Sequence, residues 1–296
     1  MKIIECVPNF SEGRNLQTVE ALAAIVRNVS GIKLLDVSAD ADHNRCVLTF
    51  IGSPERIVEG AMAVSEEALA RIDMRYHEGI HPRIGAVDVV PFIPLGDASM
   101  SDAVAAAHRF GREFAAKTAV PVYFYGEAAL HADRKQLPAV RRGGYEGLEE
   151  RFKNPVWCPD AGAPVFHVQW GATAVGARIP LVAFNVNLNS TDIDLARAIA
   201  CSVRESNGGF PAVKAIGLFL KSKNCVQVSM NLTDFRVTSI RMVFDFIEAM
   251  ARTHGVDVLH SELIGLLPKE ALRDATPEYL KLLDFTEDRI IESHLR

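Results

Sequence analysis

The amino-acid sequence predicts an α+β protein made of two tandem ferredoxin-like sandwiches, each with the element order β-α-β-β-α-β, and extra helices between them. Two observations predict this class. The order of strands and helices in the first half recurs in the second half, and no linker rich in serine or proline separates the halves. Each unit would then bury one hydrophobic core between helices and an antiparallel sheet. We place the boundary after Arg178, dividing residues 1–178 from residues 179–296.

The first half alternates apolar runs with stretches of helical periodicity. Apolar residues recur at helical spacing from Asn15 to Asn28, which predicts a first helix. Ser53 followed by Pro54 is typical of a helix start, so a second helix is predicted from there to about Ile72. Short apolar runs predict the strands Ile3–Val7, Ile32–Val37, Cys46–Gly52 and Val87–Phe92.

The second half repeats this pattern. Thr191 and Asp194 resemble a capping box for one helix, and Thr233-Asp234 is predicted to cap a second helix that ends near Thr253. The predicted strands are Leu181–Leu188, Val213–Leu220, Cys225–Met230 and Val256–Leu259. Between the halves we predict helices near Ser101–Lys117 and Ala128–Lys153, and a strand at Val120–Tyr125.

Composition excludes several classes of function. The net charge of −5 argues against binding to nucleic acid, which requires a broad basic surface. No apolar run approaches the roughly 20 residues of a membrane span. The five cysteines are widely spaced and form no Cys-x-x-Cys pair, which fits a reducing compartment. We therefore expect a cytoplasmic protein.

The most informative loop is Gly79–Asp88, which brings His81, Arg83 and Asp88 together in the sequence. Pro82 restricts its own backbone and disfavours a helical conformation at the preceding residue, whereas glycines permit tight turns. Histidine exchanges protons near neutral pH, so His81 is a candidate acid–base group. A turn that merely exposes this histidine is the alternative.

Two further loops contain residues typical of ligand binding. Pro8–Arg14 offers Arg14 for a carboxylate, with a well-formed helix start as the alternative. The loop Asp36–Arg45, predicted between two strands, contains four candidate polar groups: Asp36, Asp40, Asp42 and His43. No second cluster has recognisable ligand spacing, so these carboxylates favour a substrate cation and no metal is expected. A solvated hairpin turn is the alternative.

A long passage punctuated by glycine, Asp160–Arg178, precedes the boundary. Phe166 and Trp170 within it are suited to stacking on a flat ring. The passage lacks the GxGxxG and GxxxxGK[ST] patterns, so no loop for nucleotide phosphates is indicated. The alternative is a packed crossover between the two halves.

Six passages, taken in order, resemble the glutamate formimidoyltransferase family and extend over nearly the whole chain. They are Glu5–Arg14, His81–Asp88, Val120–Gly126, Gly171–Arg178, Ala183–Leu188 and Gln227–Leu232. The resemblance implies transfer of the formimidoyl group from N-formimidoyl-L-glutamate to N5 of tetrahydrofolate, a step of histidine degradation. It also implies a homodimer, two ferredoxin-like subdomains with folate bound between them, and the monofunctional form without a cyclodeaminase domain.

The resemblance also implies roles for particular residues. The catalytic histidine of the family corresponds to His81, in the first subdomain. The folate-binding residues correspond to Gly162, Ala163, Pro164, Val165, Phe166, His167, Val168, Gln169, Trp170 and Gly171, and we add Arg178 as an anion-binding candidate.

The chemistry of the donor predicts which other side chains bind it. An amidinium cation requires a carboxylate, available from Asp36, Asp40, Asp42 or Asp88. Some members of the family carry aspartate at the position of Ser38, so the carboxylate that binds the cation is left open. The glutamate carboxylates require arginines, available from Arg14, Arg45 and Arg83.

Two alternatives to this function remain. One is formyl transfer between 5-formyltetrahydrofolate and glutamate at the same site. The other is a folate-binding protein without catalytic activity.

Overall fold

A computed structural model describes residues 2–295, and it confirms the predicted α+β class. The chain divides into two compact units, residues 1–178 and residues 179–296. The described residues contain seven α-helices and two sheets. None of these helices is long and apolar enough to cross a membrane.

The first unit contains seven strands and five helices. Its strands are β1 (Lys2–Cys6), β2 (Asn9–Phe10), β3 (Ile32–Asp40), β4 (Arg45–Gly52), β5 (Val87–Gly96), β6 (Val122–Gly126) and β7 (Thr173–Ala177). Its helices are α1 (Leu16–Asn28), α2 (Pro54–Arg71), α3 (Met100–Thr118), α4 (Leu137–Val140) and α5 (Leu148–Phe152).

The sheet of the first unit has β5 near its middle. β5 pairs antiparallel with β1 and β2 on one side, and β4 and then β3 continue the sheet outward. On its other side β5 pairs parallel with β7, which pairs parallel with β6. Consequently β4, β2 and β5 are neighbours, and residues at one end of these three strands lie close together.

One hydrophobic core joins the long helices to this sheet. Leu22 of α1, Val64 of α2 and Phe110 of α3 are fully buried in the same cluster as Phe50 and Phe92 of the strands. The caps agree with the periodicity, since the Asn15 and Ser53 side chains accept hydrogen bonds from backbone amides of the first turns of α1 and α2. The core therefore supports the strand ends from which the candidate site is built.

The second unit consists of four strands and two helices. The strands β8 (Val182–Leu188), β9 (Val213–Leu220), β10 (Cys225–Leu232) and β11 (Val258–Ile264) form an antiparallel sheet in the order β11-β8-β10-β9. Its core includes residues of α6 (Ile193–Val203) and α7 (Ile240–Thr253). In both units the first strand of the β-α-β-β-α-β series lies between the third and the fourth.

The structure corrects the predicted helix over Ala128–Lys153. That segment forms only a 3₁₀ turn and the short helices α4 and α5. Gly143 and Gly144 adopt φ of +84° and +63°, a left-handed conformation that ends an α-helix. The result is a folded loop that returns toward the sheet.

Two strand predictions near the site are also corrected. β3 continues to Asp40, so Asp36 and Ser38 lie on a strand and the turn before β4 is short. Thr173–Ala177, within the predicted crossover passage, is the parallel strand β7. Its small residues are fully buried, and this burial explains why it lacks the usual alternation of a strand.

Two helix starts in the second unit differ from the prediction. The side chain of Asp192, rather than that of Thr191, caps α6, because it accepts from the amides of Asp194 and Leu195. Ser239 caps α7, so this helix starts several residues after Thr233-Asp234.

Candidate active site

The histidine loop, residues 77–86, lies between a 3₁₀ turn at Met74–Tyr76 and β5 and contains neither helix nor strand. A side chain at Gly79 would collide with the carbonyl oxygen of His43, and one at Gly85 would collide with that of Ala172. The Ser11 hydroxyl donates a 2.7 Å hydrogen bond to the Gly85 carbonyl. The loop is thus held by backbone packing against two other segments of the same unit.

His81 lies in this loop and is half-buried. Its Nδ1 is 2.8 Å from the carbonyl oxygen of Pro82 and 3.0 Å from Nη1 of Arg45. The carbonyl can only accept a hydrogen bond and the guanidinium can only donate one. The contact with the Pro82 carbonyl oxygen favours a proton on Nδ1 and a basic Nε2. The contact with Arg45 favours the other tautomer, with the proton on Nε2.

The arginine that contacts His81 also binds a buried carboxylate. Asp88 on β5 is fully buried, and its Oδ2 accepts hydrogen bonds from Nη1 of Arg45, at 2.9 Å, and from Arg141. Its Oδ1 accepts from the amide of Ile84 at 2.9 Å. Nε of Arg45 in turn donates to Oδ1 of Asn9, at 2.9 Å. The three neighbouring strands therefore form a charged network that orients Arg45 toward the imidazole.

The electrostatics of this network act on the imidazole. Burial lowers the pKa of His81 well below its usual value, and the positive charges of Arg45 and Arg141 lower it further. Burial and the charge of Arg141 also lower the pKa of Arg45, to about 10, whereas Asp88 opposes this shift. At neutral pH His81 is therefore a neutral imidazole and Arg45 is a cation.

Replacing Arg141 with methionine is expected to raise the pKa of His81, because a nearby positive charge disfavours the imidazolium ion. Asp88 keeps Arg45 as a partner in this variant. The measurement is an NMR titration of the His81 ring, whose midpoint should move to higher pH. Arg142→Met removes the same charge from the exposed neighbouring residue and should shift the midpoint less, because solvent screens that charge. A midpoint at lower pH in Arg141→Met would contradict this electrostatic account.

The turn between β3 and β4 contributes a second histidine. The ring of His43 meets that of His81 edge-on, with 5.9 Å between the centroids. Oδ1 of Asp40 accepts from the backbone amide of His43 at 2.8 Å and lies 3.2 Å from its Nδ1. Ile80 in the histidine loop donates its amide to the carbonyl oxygen of Asp42 at 3.2 Å. This turn is therefore attached to the histidine loop.

The other predicted donor-binding residues around this turn differ in exposure. The Ser38 hydroxyl donates to Oδ2 of Asp36 at 2.6 Å, and both residues are half-buried on β3. Arg14 is exposed and donates from Nε to the carbonyl oxygen of Ala41 at 3.0 Å. Within residues 2–295, no group of three or more His, Cys, Asp or Glu side chains is arranged to hold a metal ion.

The side chain of Arg83 already forms hydrogen bonds with other residues of the first unit. Its two terminal nitrogens donate to the carboxylate of Glu146, at 2.8 and 2.6 Å, and its Nε donates to Nδ1 of His77 at 3.1 Å. The side chain of Glu146 is 64% exposed. Arg83 can therefore reach a substrate carboxylate only if Glu146 moves aside.

The predicted folate loop, Gly162–Gly171, is joined to the histidine loop through the backbone. The amide of Ala86 donates to the carbonyl oxygen of Trp170, and the amide of Ala172 donates to that of Ile84, both at 2.9 Å. Gly171 has φ of +70°, and a side chain there would meet the Ile84 carbonyl oxygen. The folate loop and the histidine loop cross at this point.

The aromatic residues of the folate loop are only half-buried. His167 stacks on Trp170, with ring centroids 4.2 Å apart, and Phe166 packs against Tyr145 with centroids 5.3 Å apart. An open cavity of about 450 Å³ adjoins the loop. It is lined by Glu149, Phe152, Lys153, Pro164, Val165, Phe166 and Val168.

Arg178 follows β7 at the end of the first unit. It interacts with the hydroxyl of Tyr125, and its positive charge acts on Glu5 of β1. Burial raises the pKa of Glu5 to about 7, and the charge of Arg178 opposes this rise. The predicted anion-binding arginine thus has a buried carboxyl group beside it.

Sequence reasoning did not place Arg141, Asn9 or Glu5 in the site. Arg141 lies in a predicted helix that does not form, and it reaches Asp88 only because the glycines after it turn the chain back. Asn9 belongs to the predicted ligand loop but follows β1 into the short strand β2. Glu5 lies within the strand predicted at Ile3–Val7 and observed as β1, and sequence reasoning gave it no role there.

Comparisons with known proteins show matches to two related domains. Residues 3–178 match the formiminotransferase domain, N-terminal subdomain, and residues 183–294 match the formiminotransferase domain. The chain is 42% identical to glutamate formimidoyltransferase of Streptococcus pyogenes serotype M1, over 99% of both chains. It is also 42% identical to the protein of the same name from Thermoplasma acidophilum, over 99% of this chain and 97% of that protein.

A longer relative matches over part of its length. The chain is 45% identical to formimidoyltransferase-cyclodeaminase of Gallus gallus, over 95% of this chain and 53% of that protein. It therefore spans about half the length of this relative, whereas it spans nearly all of the two microbial ones. Since the two domain matches cover most of the sequence and the microbial relatives match from end to end, the chain belongs to the formiminotransferase family of transferases.

Proposed function

We propose that the chain transfers the formimidoyl group from N-formimidoyl-L-glutamate to N5 of tetrahydrofolate, giving 5-formimidoyltetrahydrofolate and L-glutamate. Family membership supports the reaction. The neutral imidazole of His81, kept neutral by burial and by the positive charges of the Arg45–Asp88–Arg141 network, is the observation that carries the mechanism.

The reaction requires one proton to be moved. N5 attacks the amidine carbon, a bond forms between them, and a tetrahedral intermediate results. His81 accepts the proton from N5 at Nε2, while its Nδ1–H donates to the Pro82 carbonyl oxygen. The bond from carbon to the glutamate nitrogen then breaks as the imidazolium returns this proton to the leaving amine. The positive charges nearby make the imidazolium a strong acid and so favour the second transfer.

We propose that polar residues around His81 bind the donor. Asp40 and Asp42, at the turn beside the histidine loop, supply negative charge for the amidinium cation. Arg14 is exposed and suited to a glutamate carboxylate, and Arg83 would bind the other after Glu146 moves aside. Arg45 and Asp88 lie in the network itself, so they would act on the donor through the position and charge of the imidazole.

We propose that tetrahydrofolate binds along residues 162–171 as a co-substrate, with Arg178 available for an anionic group. The crossing of this loop with the histidine loop supports the proposal, because it connects the proposed co-substrate site with the proton carrier. The open cavity beside Phe166 would receive a flat ring or its linker.

We propose that both units are ferredoxin-like sandwiches. The strand order in each unit supports this assignment, since the first strand lies between the third and the fourth in both. The homodimer and the cytoplasmic location stay predictions.

The deciding experiment incubates the purified protein with tetrahydrofolate and N-formimidoyl-L-glutamate, then acidifies the mixture. Any 5-formimidoyl product should cyclise to strongly absorbing methenyltetrahydrofolate. A parallel reaction with N-formylglutamate allows kcat/KM to be compared between the two donors. A higher kcat/KM for N-formylglutamate would favour formyl transfer. Consumption of neither donor, with tetrahydrofolate still bound in calorimetry, would indicate a binding protein without turnover.

A further inference from the structure

The ring of His43 has one nitrogen that no protein group satisfies. His43 is only 9% exposed, and its Nε2 is buried without a hydrogen-bond partner among residues 2–295. A buried polar atom without a partner costs free energy, so it normally has a partner in some functional state of a protein. The unsatisfied atom therefore requires an explanation.

The surroundings of His43 determine the hydrogen-bonding character of this atom. The carboxylate of Asp40 lies 3.2 Å from Nδ1 and favours the tautomer that carries its proton there. Nε2, on the other edge of the ring, is then an acceptor. The same carboxylate oxygen accepts the backbone amide of His43 at 2.8 Å, which fixes the residue to the turn.

The ring of His43 lies next to His81, the proposed proton carrier. His43 and His81 are in edge-on contact, with 5.9 Å between the ring centroids and 83° between the ring planes. Gly79 of the histidine loop packs on the His43 carbonyl oxygen, so the two histidines belong to one packed assembly. An N–H group of a ligand that reacts at His81 would lie beside the neighbouring imidazole, and its contact with the buried Nε2 requires the side chains over that atom to move.

We propose that Nε2 of His43 accepts a hydrogen bond from an amidinium N–H of the donor and so orients the amidine carbon toward His81. This inference rests on the proposed function, because that function supplies the amidinium group. The negative charge of Asp40 acts through the ring on the bound cation.

The test compares His43→Phe, which keeps a flat ring without the acceptor, with His43→Gln, which restores an oxygen near the position of Nε2. In His43→Phe the KM for N-formimidoyl-L-glutamate should rise by about 10- to 100-fold, the size expected for a hydrogen bond with a charged partner. The KM for tetrahydrofolate should stay unchanged. His43→Gln should recover part of the loss, and it remains informative if His43→Phe does not fold.

Thermal unfolding separates binding from structural support. His43→Phe removes the unsatisfied Nε2 but also the contact of Nδ1 with Asp40, so the Tm should change little while donor binding weakens. The matched control is His108→Phe, which changes a histidine whose Nε2 contacts the carbonyl oxygen of Ala128. This control should leave the KM for the donor unchanged.

Distinct results would overturn the inference and the proposed function. A donor KM in both His43 variants within about twofold of the wild-type value would overturn the role of His43. So would a lower Tm with both KM values raised together, which is the signature of a structural residue. Failure of the wild-type protein to consume the donor would instead overturn the proposed function.

Discussion

Replacing His81 with alanine is expected to lower kcat by about 10²- to 10⁴-fold, the range for loss of a general acid–base group. The variant should still fold, because the imidazole is only half-buried and the Asp88 network does not depend on it. Calorimetry should still show binding of tetrahydrofolate. The measurement is kcat with saturating donor and co-substrate.

Chemical rescue of His81→Ala by free imidazole provides a second test of the role of His81. Added imidazole should restore part of the activity of His81→Ala, because the substitution leaves a space beside Arg45 that a free base can enter. Imidazole should have no such effect on a variant of comparable activity in which another residue is changed. Near-normal turnover by His81→Ala would contradict the assignment of this residue as the proton carrier.

Replacing Asp88 with alanine is expected to lower the free energy of unfolding by about 3–5 kcal/mol, as is typical when one partner of a buried ion pair is removed. The substitution leaves the cations of Arg45 and Arg141 without their shared carboxylate, and it leaves the amide of Ile84 without its acceptor. Urea unfolding of the wild-type protein and the variant measures the difference.

Glu150→Ala is the matched control for Asp88→Ala. Glu150 pairs with Lys153 at 2.7 Å, but its side chain is 82% exposed. Solvent screens this pair, so its loss should cost much less than the loss of Asp88. Equal losses in the two variants would contradict the view that burial makes the Asp88 network important for stability.

Much of the fold could be predicted because the cores impose their periodicity on the sequence. The helix from Leu16 to Asn28 and the strand from Val213 to Leu220 agree closely with the predicted elements. β7 was missed because a fully buried strand of small residues shows no alternation of apolar and polar side chains. The segment after Ala128 was misjudged because glycines interrupt an otherwise helical pattern.

The site could be predicted only where chemistry and backbone restriction coincide in one loop. The histidine loop has this property, since Pro82 and two glycines surround a titratable side chain. The Arg141–Asp88 pair joins residues 53 positions apart in the sequence, and no local sequence pattern predicts such a contact. The unsatisfied nitrogen of His43 likewise becomes visible only when burial and partners are known.

The crossing of the histidine loop and the folate loop limits how this protein can be altered. Gly85 and Gly171 face each other where no side chain fits, so neither loop can change its path without the other. An insertion on either side of the crossing would change the register of both. Engineering by loop exchange between relatives should therefore transplant residues 77–86 and 162–172 as one cassette, because chimeras that divide them would combine incompatible halves of one structural element.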